Sequence, residues 1–268
     1  MEPPGPGGQV IRLHELSTLL VAANVRIAYG WKDWIQPELT IPLRMIDQRP
    51  RFEDGVGAVV TDTESIHHRK ETLVDVGDLE LRAAIPVLTV PGGLSMTLRA
   101  GLTAPTGRVE ADPFELGALG EEHQHVFFGS GSVDPLLGVD AAYPVGPVWL
   151  TADADARATL YSGRKGYRQG TRATAALGAY WLFDDWRVGL RPSLYFETAS
   201  GWEGRAAPNS GRTTLQAAGS VGWSPVDGPA LGISVAKPFT LQSHGGQVES
   251  PWLASASASW RFGGDEGP

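Results

Sequence analysis

Cysteine is absent from the 268 residues, which removes disulfides, thiolate catalysis and cysteine metal sites in one step. No apolar run reaches the roughly 18 residues that a membrane-spanning helix needs. A basic excess is lacking too: 22 Lys and Arg stand against 30 Asp and Glu, a net charge of −8 that argues against a nucleic-acid partner. No signal peptide is visible, because the chain opens on the Pro/Gly-rich MEPPGPGGQ. Nothing divides the sequence into two domains.

What is present favours strands and turns. Gly 34, Pro 20 and Trp 9 are poor material for long helices. The mean hydropathy of −0.13 suggests a soluble protein. That reading fails if apolar and polar residues alternate, because a membrane barrel hides its apolar face inside the alternation.

The alternation is there. In residues 148–160, Val148, Leu150, Ala152, Ala154, Ala156, Ala158 and Leu160 share one face, and Trp149, Thr151, Asp153, Asp155, Arg157 and Thr159 share the other. Residues 252–262 place three Ala between Trp252 and Trp260 on one side and Ser255, Ser257 and Ser259 on the opposite side. Similar runs cover residues 21–31, 35–45, 73–87, 94–104, 137–143, 173–183, 186–197, 215–223 and 231–239. A soluble sandwich alternates as well. Three features separate the two. The runs are about 10 to 13 residues long, where globular strands cluster near 5–6 and a tilted membrane strand needs about 9–11. The connections alternate between tight (Asp184-Asp185, Pro91-Gly92-Gly93) and long (47–72, 105–134, 162–170, 201–211, 242–250), as in outer-membrane barrels. Aromatic residues gather at the tight-turn end: Tyr29, Trp31, Trp34, Tyr143, Trp181, Phe183, Trp186, Trp223, Trp260 and Phe262. Such a ring suits a membrane–water interface.

The expected fold is therefore all-β: a transmembrane antiparallel up-and-down β-barrel of about 12 strands, a short first strand over residues 9–16 making the count even. Residues 1–8 are expected to be a flexible periplasmic segment, 9–262 the barrel and 263–268 a tail. Both termini and the tight turns should face the periplasm, with the export signal already removed.

Four stretches resemble a family of outer-membrane proteins named for the meta-pathway of phenol degradation: YGWKDWIQPELTIPL from Tyr29, VGDLELRAAIP from Val76, LRAGLTAPTGR from Leu98 and GSGSVDPLLGVDAAYP from Gly129. The Gly77-Asp78-Leu79, Pro105-Thr106-Gly107 and Gly131–Gly138 elements carry most of the likeness, in order over about half the chain. The resemblance implies a barrel of the Gram-negative outer membrane that transports small compounds, aromatic or apolar ones among them.

The alternation places a set of charges inward: Arg26, Glu38, Arg44, Asp78, Glu80, Arg82, Arg99, Asp140, Asp153, Asp155, Arg157, Arg172, Arg187, Arg191 and Glu197. Two roles are open to them. They can pair across strands and hold the register, or form a charged constriction that selects solutes. The wall is uneven, since the last strands offer mainly Gly232, Ser234, Ala236, Ser255, Ser257 and Ser259, which leave room for water. Taking Asp184-Asp185 as a two-residue turn predicts Arg172 opposite Glu197 and Tyr180 opposite Gly189. His123 and His125 in the long loop are weak metal candidates beside Glu121 and Glu122; His67-His68 form a second loop pair. No cofactor and no enzyme activity is expected, since no outward strand position carries the His that a lipid-facing hydrolase would need. Partners expected are outer-membrane lipid, a small-molecule solute, and envelope proteins or further copies of the chain packed on an Ala-rich outer face. On that last reading the barrel is a non-conducting anchor in an envelope-spanning export or motility complex.

Overall fold

The structure is a computed structural model that describes residues 11–60, 69–245 and 250–262, with the side chains described from residue 15. With 63% of residues in strands and 4% in helix, the chain is all-β, built around one large antiparallel sheet. Its strands in chain order are β1 (Ile11–Ala28), β2 (Gln36–Asp54), β3 (Val59–Val60), β4 (Glu71–Val76), β5 (Leu79–Thr89), β6 (Ser95–Ala104), β7 (Pro135–Val145) and β8 (Val148–Arg157). After the two-residue β9 (Tyr167–Arg168) come β10 (Arg172–Phe183) and β11 (Trp186–Glu197). Two more short strands, β12 (Gly201–Trp202) and β13 (Arg205–Ala206), precede β14 (Arg212–Trp223), β15 (Ala230–Ser243) and β16 (Leu253–Ser259).

The hydrogen-bonded path runs β1-β2-β5-β6-β7-β8-β10-β11-β14-β15-β16, each strand beside its chain neighbour, with β3 and β4 added along β2. Among the described residues this path has eleven strands, not twelve, and no ladder joins β1 to β16. The first strand explains the count, and a second boundary also differs. The part of the expected first strand that is described, residues 11–16, is the outer end of one 18-residue strand; Ser17 and Thr18 pair with Arg49 and Gln48 without interruption. The expected strand 73–87 breaks instead at Gly77-Asp78 into β4 and β5, both paired with β2. The expected loop 47–72 also starts later, since β2 runs on to Asp54 beside β1. Ile11 lies at the long-connection end and Ser259 at the tight-turn end, so β1 and β16 point the same way, not opposite ways as the first and last strands of a twelve-strand barrel would. Residues 1–10 and 263–268, along with His67-His68, lie outside the described residues.

The tight turns set the register. Asp184 takes a left-handed conformation (φ 48°), and Asp184-Asp185 closes a two-residue hairpin with Phe183 opposite Trp186. From that turn Tyr180 falls opposite Gly189 and Arg172 opposite Glu197, as predicted. A Cβ on Gly189 would collide with the Tyr180 ring, so the glycine is what lets the ring lie over the neighbouring strand.

The two faces of the sheet differ as the alternation requires. On β11 outward Leu190 is 70% exposed, whereas inward Ser193 is 7% exposed. The outward face also exposes Leu81, Leu98, Leu137, Leu177 and Ile233. The small buried apolar cluster lies elsewhere, in the long connections: Val109, Tyr167 and Trp202, with Phe127 and Ala207 against them. Phe127 stacks on Tyr167 with ring centroids 4.7 Å apart, and β9, β12 and β13 form a three-stranded sheet of their own in this cap. Burial pushes the Tyr167 hydroxyl up to about 12, and a hydrogen bond with Ser200 opposes the shift.

Candidate functional site: the inward face and its loop-end knot

The inward charges are placed by strand parity, and most of them meet an opposite charge on another strand. Arg26 on β1 pairs with Glu38 on β2; Glu38 is also 3.5 Å from Arg99 on β6, and Arg99 contacts Asp140 on β7. Arg82 on β5 lies 3.1 Å from Glu80 and donates to Asp155 on β8. Arg191 on β11 grips Asp153 on β8 through Nε (3.2 Å) and Nη2 (2.7 Å), the two-pronged geometry of a strong Arg–carboxylate pair.

These pairs also report the shape of the sheet. Arg82 and Asp155 sit three strand spacings apart, which on a flat sheet would be about 14 Å. Their direct contact requires the sheet to curl toward its inward face.

At the long-connection end the three motif elements meet around one buried carboxylate. Asp78 Oδ1 accepts from the Gly107 amide (3.1 Å), and Oδ2 accepts from the Ser130 amide (2.8 Å), the Ser130 hydroxyl (2.9 Å) and Arg157 (2.6 Å). Arg157 reaches on to Asp134 (Nε, 2.8 Å), which also accepts from the Ser132 hydroxyl (2.7 Å). The Asp134 amide donates to Thr103 Oγ1 on β6 (3.0 Å). Thr106 donates to the Gly77 carbonyl (2.8 Å) and accepts from the Leu79 amide (3.1 Å). Both aspartate side chains are at most 1% exposed. A Cβ on Gly107 would come within 2.6 Å of the Gly129 backbone, so the two segments close on each other only because both are glycine. Gly77-Asp78, Pro105-Thr106-Gly107 and the 129–134 segment thus form a knot that ties the longest loop to the wall. The Ser130 and Ser132 hydroxyls donate to Asp78 and Asp134, and Arg157 bridges the two carboxylates.

Other sites predicted from sequence behave differently. Arg172 faces Glu197 in the ladder but donates to Gln169 (3.2 Å), and no ion pair joins it to Glu197. Glu197 lies between Arg172 on β10 and Arg212 on β14, and the Arg212 guanidinium sits 5.5 Å from the Tyr195 ring centre. Arg212, Ser130, Ser132 and Asp134 were not singled out by sequence. The first heads a strand whose inner face is otherwise uncharged (Thr214, Gln216, Ala218, Ser220, Gly222), and the others sit in a glycine-rich loop with no periodicity to read. Arg44 donates to Asn24 (3.0 Å) and to backbone carbonyls. Arg187 has no carboxylate partner among the described residues. His123 is buried in the cap, its Nδ1 2.9 Å from the Glu121 carbonyl, and its ring meets His125 edge-on at 5.0 Å. Among the described residues no three metal-ligating side chains cluster.

The long apolar exposure faces outward all along the path. Among the described residues no helix is long and apolar enough to cross a membrane, which says nothing of a crossing built from strands. No protein-family model matches the chain, and no curated protein matches it.

Proposed function

We propose that the chain is an outer-membrane β-barrel of a Gram-negative bacterium that passes small solutes along the side of its lumen built by β14, β15 and β16. The observation that carries this reading is the inverted sheet: exposed Leu, Ile and Val outside, ion-paired charges inside. A water-soluble protein rarely leaves so large an apolar surface uncovered, whereas a bilayer covers it. Tyr29, Trp31, Trp34, Trp181, Trp186 and Trp260 are all exposed at the tight-turn end, where an interfacial ring belongs. The curl forced by Arg82–Asp155 supports closure of the sheet in the membrane, with β1 beside β16. The resemblance of the Gly77, Pro105 and Gly131 elements to the meta-pathway barrels points the same way, toward apolar or aromatic cargo.

The path is assigned to β14–β16 because the other side is filled. On β5 to β8 the charges bind one another, so they stiffen the wall more than they attract ions. Purified, refolded protein in planar bilayers should give discrete conductance steps. Folded, inserted protein that gives none would overturn solute passage.

A second reading, a non-conducting anchor for envelope partners, is favoured by one feature. Ala141, Ala152, Ala154 and Ala175 floor a cavity of about 540 Å³ on the outward face, between Met96 and Leu215. Small residues there allow close approach of another chain in lipid. Co-purification of a stoichiometric envelope protein, together with absent conductance, would favour it.

A further inference from the structure

Arg187 stands apart among the inward arginines. Arg26, Arg82, Arg99, Arg157 and Arg191 each meet a carboxylate. Arg44 donates to Asn24, Arg172 donates to Gln169, and Arg212 lies over the Tyr195 ring, whereas Arg187 has no hydrogen bond, ion pair or ring contact among the described residues. Its place in the ladders explains what it does instead. Arg187 pairs with Gly222, Gly222 with Gly232, and Gly232 with Ser257, so two glycines follow the arginine across the sheet. The side chain lies down in that trough: a Cβ on Gly222 would collide with it, and one on Gly232 would stand 3.8 Å from its Nη2 and 2.8 Å from Ser257 Oγ. The guanidinium therefore points toward β16.

The next inward row toward the loops runs Tyr180, Gly189, Ser220, Ser234, Ser255, again by direct pairing. Ser234 and Ser255 share a hydrogen bond of 2.8 Å, which leaves the other proton or lone pairs of the two hydroxyls for a third group. Together the two rows bound a cavity of about 170 Å³. Its polar lining holds one permanent cation and several hydroxyls, and no carboxylate. The Tyr180 ring supplies one planar apolar wall. A guanidinium with free N–H groups and hydroxyl donors on one concave surface is complementary to an oxyanion, since its fork matches the two oxygens of a carboxylate.

We propose that this cavity binds a small organic carboxylate, its two oxygens on Arg187 and on the Ser255 and Ser257 hydroxyls, its apolar body against Tyr180. The site rests on the solute-path reading and names the class of cargo that path selects. Trp149 pairs with Tyr180 across β8 and β10, so it is placed to report occupancy.

The test is a titration of folded, detergent-solubilised full-length protein with sodium benzoate, read by tryptophan fluorescence, beside bilayer conductance on the same preparation. Binding should be saturable. Arg187→Gln should weaken it at least tenfold, Arg187→Lys less, and Ser255→Ala with Ser257→Ala severalfold. Lys32→Gln, which removes one positive charge in a tight turn outside the cavity, should leave it unchanged. Arg187 makes no hydrogen bond or ion pair among the described residues, so its variants should fold as the parent does, checked by circular dichroism. Benzyl alcohol should not compete. No saturable benzoate binding, or equal binding by Arg187→Gln, would overturn the site even if the protein conducts. Sulfate binding as tightly as benzoate would overturn the assignment to organic acids. Benzoate binding without conductance would instead overturn solute passage and leave the site standing.

Discussion

The two sides of the inward face solve different problems with the same strand pattern. From β5 to β8 the inward positions carry Glu80, Arg82, Arg99, Asp140, Asp153 and Asp155, and contacts across the curl tie strands together that are not neighbours in the sheet. From β14 to β16 they carry Ser220, Gly222, Gly232, Ser234, Ser255 and Ser257, which reach no farther than the adjacent strand. One side is stiffened by charges that cancel. The other keeps its volume and leaves Arg187 without a hydrogen bond or ion pair at its border among the described residues. On the barrel reading proposed above, the charges most visible in the sequence would mark the closed side of the lumen, and the open side would be marked by what is missing.

The comparison breaks first at Arg157. Removing it as Arg157→Ala strands two buried carboxylates, and such a loss costs about 3–5 kcal/mol. Urea unfolding in detergent should show it; a loss under about 1 kcal/mol would mean the knot is not closed. The next largest effect separates faces. Leu190→Arg places a charge in the bilayer at about 2–4 kcal/mol, whereas Ser255→Arg on the open side should fold with little loss and narrow the pore. Ser193 is inward but only 7% exposed, so an arginine there would meet packed neighbours and destabilise the fold as well. Third, a double-mutant cycle on Arg191 and Asp153, both about a third exposed, should return a coupling of about 0.2–1 kcal/mol. Coupling near zero would remove the pair from the stiffening wall. The smallest effect concerns the cap and is silent at neutral pH. The Tyr167 hydroxyl is held above its unfolded value near 10, so its contribution to stability is whole below pH 10 and is lost as pH rises toward about 12. Near-ultraviolet circular dichroism should follow the cap loosening in that window; an unchanged signal through pH 12 would place Tyr167 outside the cap's core.

Where the backbone alone decides the geometry, the sequence was a good guide. The Asp184-Asp185 turn fixes every pair from Phe183–Trp186 back to Arg172–Glu197, because a two-residue hairpin leaves no freedom of register. Side-chain partners were less legible. Arg172 finds Gln169 three residues away instead of Glu197 across the ladder, since a long side chain reaches more groups than the one opposite. Arg82 and Asp155 lie 73 residues apart, and only the curl of the sheet brings them together. Strand ends were the weakest point: polar Ser17 and Thr18 read as a break where β1 continues, and the alternation changes phase at Gly77-Asp78, with Val74 and Val76 exposed before it and Leu81 after it, where the sequence was read as one strand. In the second case the interruption serves the knot, because Asp78 must turn its carboxylate to the loop amides.

The central claim, that the open side of the lumen lies along β14–β16, is tested most directly by thiol labelling of a chain that has no cysteine of its own. Ser257→Cys and Thr151→Cys both face inward, the first on the open side and the second on the charged wall beside Gly178. In planar bilayers a bulky water-soluble thiol reagent should sharply reduce conductance through Ser257→Cys and leave Thr151→Cys nearly unchanged. Block at Thr151→Cys with none at Ser257→Cys would contradict the account.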